Sequence, residues 1–379
     1  MADLSVTRYY TNITGIPAAQ YYGPLYLTEV LAKYPGPIIF VYPYTGETED
    51  SLAISPTLIV QEYGGTSAWT PAVEAQNQVE WQLAIEPTLK KKGIFQGGVY
   101  YLPPAYGFSA AELLPVESSN SALEYLGSFS HHNYPQTASA KANASAPVLA
   151  ELMSHVNITD NVAPYGADTA ATDEYGLTYV FGETNSVSGG GSPDISPTFG
   201  AGLWVLDYVL RATSSNIAKL NFHFQSYGTS YYIWWDEQSI RSPYYGGFVA
   251  TDALAGESYI TALDDGTSNY AAYVVYSVNK TPSKVVLINT DYFNGTGTRS
   301  SHNFVISGLT SKTISAKRLT ANSALSRQDQ GDAPTYAGQS FSNSGNCALT
   351  GKKETEQTLV SGGKATLKLY ASEALVITL

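Results

Sequence analysis

The sequence predicts an α/β region, read as a (β/α)8 TIM-type barrel incomplete at its N-terminus, followed by a C-terminal antiparallel β-sandwich. Three observations carry that expectation. Up to about residue 255, short apolar runs alternate with longer helical segments, the pattern of βαβ units around a parallel sheet. After about residue 265 helical patterns cease, and short strands follow one another between Gly, Asn and Ser turns. Two of the early strands end in a carboxylate, at Glu62 and Glu183, and barrels build their sites at strand C-terminal ends.

Taken in order, the early strands are Ile38–Tyr42, Thr57–Glu62, Ile94–Tyr100, Tyr125–His131, Thr178–Glu183 and Leu220–Phe224. Helical segments lie between them at Ala72–Leu89, Ala146–His155 and Thr198–Ala212. The later strands are Tyr270–Val278, Lys284–Asn289, Asn303–Ile306, Thr313–Leu319, Lys364–Leu369 and Ala374–Leu379. The expected division is a barrel over residues 1–260 and a sandwich over 261–379. Each βα unit takes about 30 residues, and only 56 precede Thr57. If Thr57–Glu62 is the fourth strand, the first units are missing or abbreviated. An open barrel would expose parallel edges that self-association or a partner chain would have to cover.

Composition narrows the function classes. The chain has 379 residues, 20 basic against 32 acidic side chains and a net charge of −12, which argues against a nucleic-acid partner. No apolar stretch approaches the roughly 20 residues of a membrane helix, so no membrane partner is expected. The single Cys347 excludes an internal disulfide and a cysteine-built zinc site. Adjacent His131 and His132 are poorly placed to share one ion, so no metal is expected, and no motif calls for a cofactor. Five sequons, at Asn12, Asn143, Asn157, Asn279 and Asn294, together with a Tyr-, Ser- and Thr-rich surface, point to a secreted protein handling a hydroxyl-rich ligand. The start, Met1-Ala-Asp-Leu-Ser5, lacks the apolar run of a signal peptide.

The sharpest motif runs from Gly182-Glu183 through Thr184, Asn185, Ser186 and Ser188 to Gly189-Gly190-Gly191. A carboxylate leaves an apolar strand and is followed by hydroxyls, an amide and three glycines whose backbone can approach a ligand closely. The lysine of a phosphate-binding loop is absent. On the local pattern alone, a strand-ending Glu with a plain surface loop remains the alternative.

Phe181-Gly-Glu-Thr-Asn-Ser-Val-Ser-Gly-Gly-Gly191, with Ser196-Pro-Thr-Phe-Gly-Ala-Gly-Leu-Trp-Val-Leu-Asp-Tyr-Val-Leu210, resembles fungal glycoside hydrolase family 79, the β-glucuronidase branch of the heparanase-like enzymes. Phe129-Ser-His-His-Asn-Tyr-Pro135 and Leu220-Asn-Phe-His223 are similar to its barrel strands. Tyr270–Tyr276, Val286–Asn289, Lys317–Ala321 and Ala337–Phe341 are similar to its C-terminal β-domain. The likeness covers roughly residues 90–379 and fades toward the N-terminus, where family members carry a further stretch.

The resemblance implies that Glu183 is the nucleophile of a retaining mechanism and Glu62 the acid/base. Gln61 stands where the family usually has Asn, and Trp69-Thr-Pro71 and Glu80-Trp81 extend the alignment. It also implies that the loop after the nucleophile binds the sugar carboxylate through backbone N–H groups of Gly189 and Gly190. Ser188 stands where some members have a tyrosine, and Tyr231 and Tyr232 are the phenols placed to replace it. His132 and Tyr134 are expected to bond the sugar or the nucleophile, and Asn185 the substrate. His223 reads as a core or supporting histidine, and Trp234 and Trp235 as either a sugar-stacking wall or packing against the β-domain.

The expected function is therefore a retaining exo-β-glucuronidase acting on glycans with terminal glucuronic acid or its 4-O-methyl form. A catalytically silent relative that binds glycans or protein partners is the alternative, supported by the short barrel and by Gln61.

Overall fold

The computed structural model describes residues 40–41, 70–89, 92–101, 103–138, 145–224, 230–236, 239–343 and 347–379. Glu62, Gln61, the strand Thr57–Glu62, Asn12 and Asn143 lie outside the described residues. In chain order the helices are α1 (Pro71–Leu89), α2 (Ala110–Ser119), α3 (Leu149–Leu152), α4 (His155–Val162), α5 (Gly166–Glu174), α6 (Phe199–Ser214) and α7 (Pro243–Leu254). The early strands are β1 (Phe40–Val41), β2 (Phe95–Tyr100), β3 (Leu126–Asn133), β4 (Thr178–Thr184) and β5 (Ile217–Phe222). The later ones are β6 (Tyr259–Ala262), β7 (Tyr270–Tyr276), β8 (Pro282–Asn289), β9 (Ser301–Ser307), β10 (Thr313–Thr320), β11 (Glu356–Leu359), β12 (Lys364–Tyr370) and β13 (Glu373–Thr378). The chain divides into two compact units, residues 1–132 with 167–182, and residues 133–166 with 183–379.

In the first unit the strands follow the order β1-β2-β3-β4. Phe40 pairs in parallel with Phe95, and Phe95 with Leu126. The parallel arrangement expected from alternating strands and helices is present. Apolar residues of the strands are buried under Leu113 and Leu114 of α2, and Tyr100, Phe129 and Tyr179 pack ring against ring at 5.7 and 6.0 Å. Ser109 starts α2, its Oγ accepting from the Glu112 N–H at 3.3 Å. Buried His131 donates from Nε2 to the Phe108 carbonyl at 3.0 Å and accepts the Tyr179 hydroxyl on Nδ1 at 2.7 Å. Both nitrogens are used in the neutral form, and burial pushes its pKa down to about 3.

The second unit is organised around α6, whose Thr198 caps the first turn and whose Phe199, Leu203, Trp204, Leu206 and Leu210 are buried. Helix α7 crosses it closely because Gly246 and Gly202 meet. A Cβ at Gly246 would stand 2.0 Å from the Gly202 carbonyl oxygen. Of the helix expected at Ala146–His155 only Leu149–Leu152 forms, as α3, and α4 begins at His155 and runs beyond the expected span. Ser154 separates the two with extended backbone (φ −64°, ψ 123°) and bonds Asn269 at 2.8 Å. Helices α2, α5 and α7 were not anticipated from the sequence, and β5 begins three residues earlier than Leu220.

From residue 259 onward the same unit is antiparallel, as expected. β10-β13-β8-β7-β6 form the body of one sheet, with β11 beside β10, and β9 pairs with β12 in a second. In β12 burial alternates residue by residue, sending Ala365, Leu367 and Leu369 inward. They meet Val285 and Leu287 of β8 and Leu375 and Ile377 of β13 in one apolar core.

Candidate functional site

Glu183 is the next-to-last residue of β4 and opens the second unit. The Tyr134 hydroxyl donates to its Oε1 at 2.7 Å. His223, just past β5, places Nδ1 at 3.3 Å from the same Oε1 and at 3.3 Å from the Tyr134 hydroxyl. Two elements far apart in sequence therefore converge on one carboxylate oxygen. The group remains open, with the side chains of His223 and Glu183 40% and 36% exposed. Of the two roles its apolar strand left open, His223 thus takes the supporting one and not the core one. Its hydrogen bond to Glu183 raises its pKa, against the opposing effect of burial. Burial, then the charge of Glu183, pushes the Tyr134 phenol far up, so it stays a donor. The same two causes raise Tyr232 to about 12.

The surrounding segments are tied by buried polar groups. Thr184 Oγ1 donates to the Asn133 carbonyl at 2.5 Å and lies 3.0 Å from the Tyr208 hydroxyl, which also accepts from Asn133 Nδ2 at 2.9 Å. Asn185 is buried, and its Nδ2 donates to the His223 carbonyl at 2.9 Å and the Tyr232 carbonyl at 3.3 Å. That amide is spent on backbone, so Asn185 fixes where His223 and Tyr232 stand. The Tyr232 ring lies 5.6 Å from His223.

The glycine loop is equally defined. Gly189, Gly190 and Gly191 have φ of 81°, 92° and 85°, a left-handed run that favours glycine at each position. Val187 and Ser188 pair in parallel with Gln136 and Thr137, and the Gly190 carbonyl accepts from the Tyr231 N–H at 2.7 Å. Tyr231 therefore anchors the loop through its backbone, while Tyr232 lies beside the Glu183 group. His132 is half-buried near the end of β3 in the first unit. No cluster of three His, Cys, Asp or Glu able to hold a metal occurs among the described residues.

Residues 272–376 match the glycosyl hydrolase family 79 C-terminal beta domain. A β-glucuronidase of Aspergillus niger is 30% identical over 217 residues, covering 53% of this chain and 39% of its own length. A β-glucuronidase of Neurospora crassa is 26% identical over 236 residues, covering 55% and 40%. The crystal structure of a 4-O-α-L-rhamnosyl-β-D-glucuronidase from Fusarium oxysporum is similar at 42% identity, with a TM-score of 0.76, covering 83% of this chain and 65% of that one. The chain fits fungal glycoside hydrolase family 79. The resemblance of the C-terminal strands to the family's β-domain is borne out by the match over residues 272–376.

The chain spans about two fifths of the curated relatives' length and 65% of the Fusarium chain. An α-L-arabinofuranosidase from Thermotoga maritima, 13% identical with a TM-score of 0.55, shares the fold alone. Among the described residues no helix is long and apolar enough to cross a membrane. The sequon residues Asn157, Asn279 and Asn294 are exposed, the first on α4 and the second in the turn between β7 and β8. In the third, Asn294 Oδ1 accepts from the Thr296 N–H and hydroxyl at 3.0 and 2.7 Å.

The sequence left His223 open between a core and a supporting role. Its only signal is position, because it stands at the C-terminal end of a strand, where Glu183 also stands.

Proposed function

We propose that the chain acts as a retaining exo-β-glucuronidase on glycans ending in glucuronic acid or its 4-O-methyl form, with Glu183 as nucleophile and Glu62 as acid/base. The observation that supports this reading is the Glu183 carboxylate, gripped on Oε1 by Tyr134 and His223 at the end of a parallel strand yet 36% exposed. Similarity to fungal β-glucuronidases supplies the substrate class.

In the proposed reaction Glu183 attacks the anomeric carbon and forms a glycosyl ester, while the glycosidic oxygen leaves with the Glu62 proton. Glu62 then takes a proton from water, the water oxygen attacks the anomeric carbon, and Glu183 is released with the configuration retained. The Tyr134 and His223 bonds hold the attacking carboxylate in place. The Gly189 and Gly190 N–H groups, the Ser188 hydroxyl and the Tyr232 phenol recognise the sugar carboxylate, with Gln61, His132 and Tyr231 completing the sugar contacts. In this reading the parallel strands belong to a (β/α)8 barrel ending near residue 260, and the protein works outside the cell.

The test is hydrolysis of an aryl β-glucuronide and the matching β-glucoside by the parent and Glu183→Gln, with product anomer followed by NMR. Turnover of the glucuronide with retention, lost in the variant, is the expected result. Equal turnover in both removes the nucleophile assignment, and glycan binding without turnover favours the silent relative.

A further inference from the structure

The two adjacent tryptophans after β5 have opposite environments. Trp234 packs 4.7 Å from Phe222, and a Cβ at Gly247 of α7 would stand 2.7 Å from its ring. It is a wedge between strand and helix. Trp235 is 47% exposed. One face stacks on Phe224 at 4.7 Å and 29°, and Tyr244 meets it edge-on at 6.1 Å. Tyr244 in turn packs against Phe341 at 5.1 Å, so the exposed ring stands on a rigid aromatic base.

The backbone under the ring is fixed as well. Trp235 bridges Ile240, and Arg241 N–H donates to the Trp234 carbonyl at 2.8 Å. On the residue after the bridge, Asp236 Oδ2 accepts from Arg241 Nη2 at 3.3 Å, and Oδ1 accepts from Ser239. An exposed indole stacked on a second aromatic ring is a surface on which a pyranose can lie. The apolar C–H face of the sugar would cover the ring, leaving its hydroxyls to the polar residues of the same segment, Asp236 and Arg241.

Position supplies the link to the site. Tyr232 packs beside His223, which contacts Glu183. Three residues of chain, at most about 11 Å, separate Tyr232 from Trp235. We infer that Trp235, with Asp236 and Arg241, is a carbohydrate subsite that stacks a pyranose of the glycan beyond the terminal uronic acid. The inference rests on the uronidase reading of the Glu183 site and extends it from a terminal sugar to a longer glycan.

The experiment is calorimetric binding by the full chain carrying Glu183→Gln, alone and with Trp235→Ala or Trp235→Tyr, to methyl β-glucuronide and to a glucuronyl trisaccharide. Trp235→Ala is expected to weaken the trisaccharide about tenfold or more while methyl glucuronide changes less than about twofold, and Trp235→Tyr to keep most of the affinity. Equal trisaccharide affinity in Trp235→Ala, equal loss of both ligands, or a tyrosine as weak as alanine overturns the subsite. If the parent binds neither glucuronide, the uronidase reading fails by itself. The same proteins are then titrated with neutral xylo- and galacto-trisaccharides, where Trp235-dependent binding supports the platform and its absence overturns it.

Discussion

Two histidine–carboxylate groups in the second unit use the same chemistry to opposite ends. His155 is fully buried, with Nδ1 2.7 Å from Asp207 and Nε2 2.8 Å from Asp264. Tyr273 donates to the other oxygen of Asp207 at 2.6 Å, and the Ala272 N–H to that of Asp264 at 2.8 Å. Burial opposes charge on this ring, but the two carboxylates outweigh it and raise His155 to about 10. His223 faces one carboxylate at 3.3 Å and is open to solvent. The closed group spends its donors and acceptors on α4, α6 and the start of the β-region, which makes it a fastener. The open group keeps a surface to offer a ligand. Solvent access, not residue type, separates the two.

The sharpest way to break this comparison is to strike each group and read activity and stability together. Glu183→Gln is expected to lower glucuronide turnover on the order of 10⁴-fold or more while the unfolding temperature stays within a degree or so. A variant that loses stability as much as turnover would place Glu183 in the fastener class. Asp207→Ala should do the reverse. Leaving His155 buried without its closer partner costs about 3–5 kcal/mol, read as a lower denaturant midpoint.

Tyr134→Phe refines the open group. Losing a hydrogen bond to a charged carboxylate is worth about 1.5–3 kcal/mol, so kcat/KM should fall about tenfold to a hundredfold with little change in stability. An unchanged kcat/KM would reduce the 2.7 Å bond to packing. The smallest effect is in the pH dependence of stability. A folded pKa raised above the unfolded value contributes stability that is full below about 6.5 and lost as pH rises through about 10. Unfolding midpoints measured from pH 7 to 9 should therefore decline in the parent, by no more than about 1.4 kcal/mol per pH unit from this group. His155→Gln should show a flatter decline, and identical slopes would mean that His155 is not charged in the fold.

Local signals account for what was readable in advance. The strand ending in Gly182-Glu183 and its glycine run identify the motif, because three successive left-handed residues strongly favour glycine. The later strands were legible because Gly, Asn and Ser turns separate short apolar runs, and in Lys364–Tyr370 burial also alternates. Helix α2 was hidden by its internal Pro115 and α7 by Gly246 and Gly247, all residues of low helix propensity. The break at Ser154 depends on a bond to Asn269, 115 residues away. Tyr134 and Glu183 are 49 residues apart and Tyr134 and His223 are 89, so no local pattern announces their meeting.

By itself the sequence determined the two textures of the chain, the strand that presents Glu183 and the family likeness, since each is written in neighbouring residues. Only the tertiary structure decided which histidine is fastened and which is open, and which of two adjacent tryptophans packs and which is presented. Those outcomes depend on burial and on partners brought from distant elements, and a one-dimensional pattern carries neither.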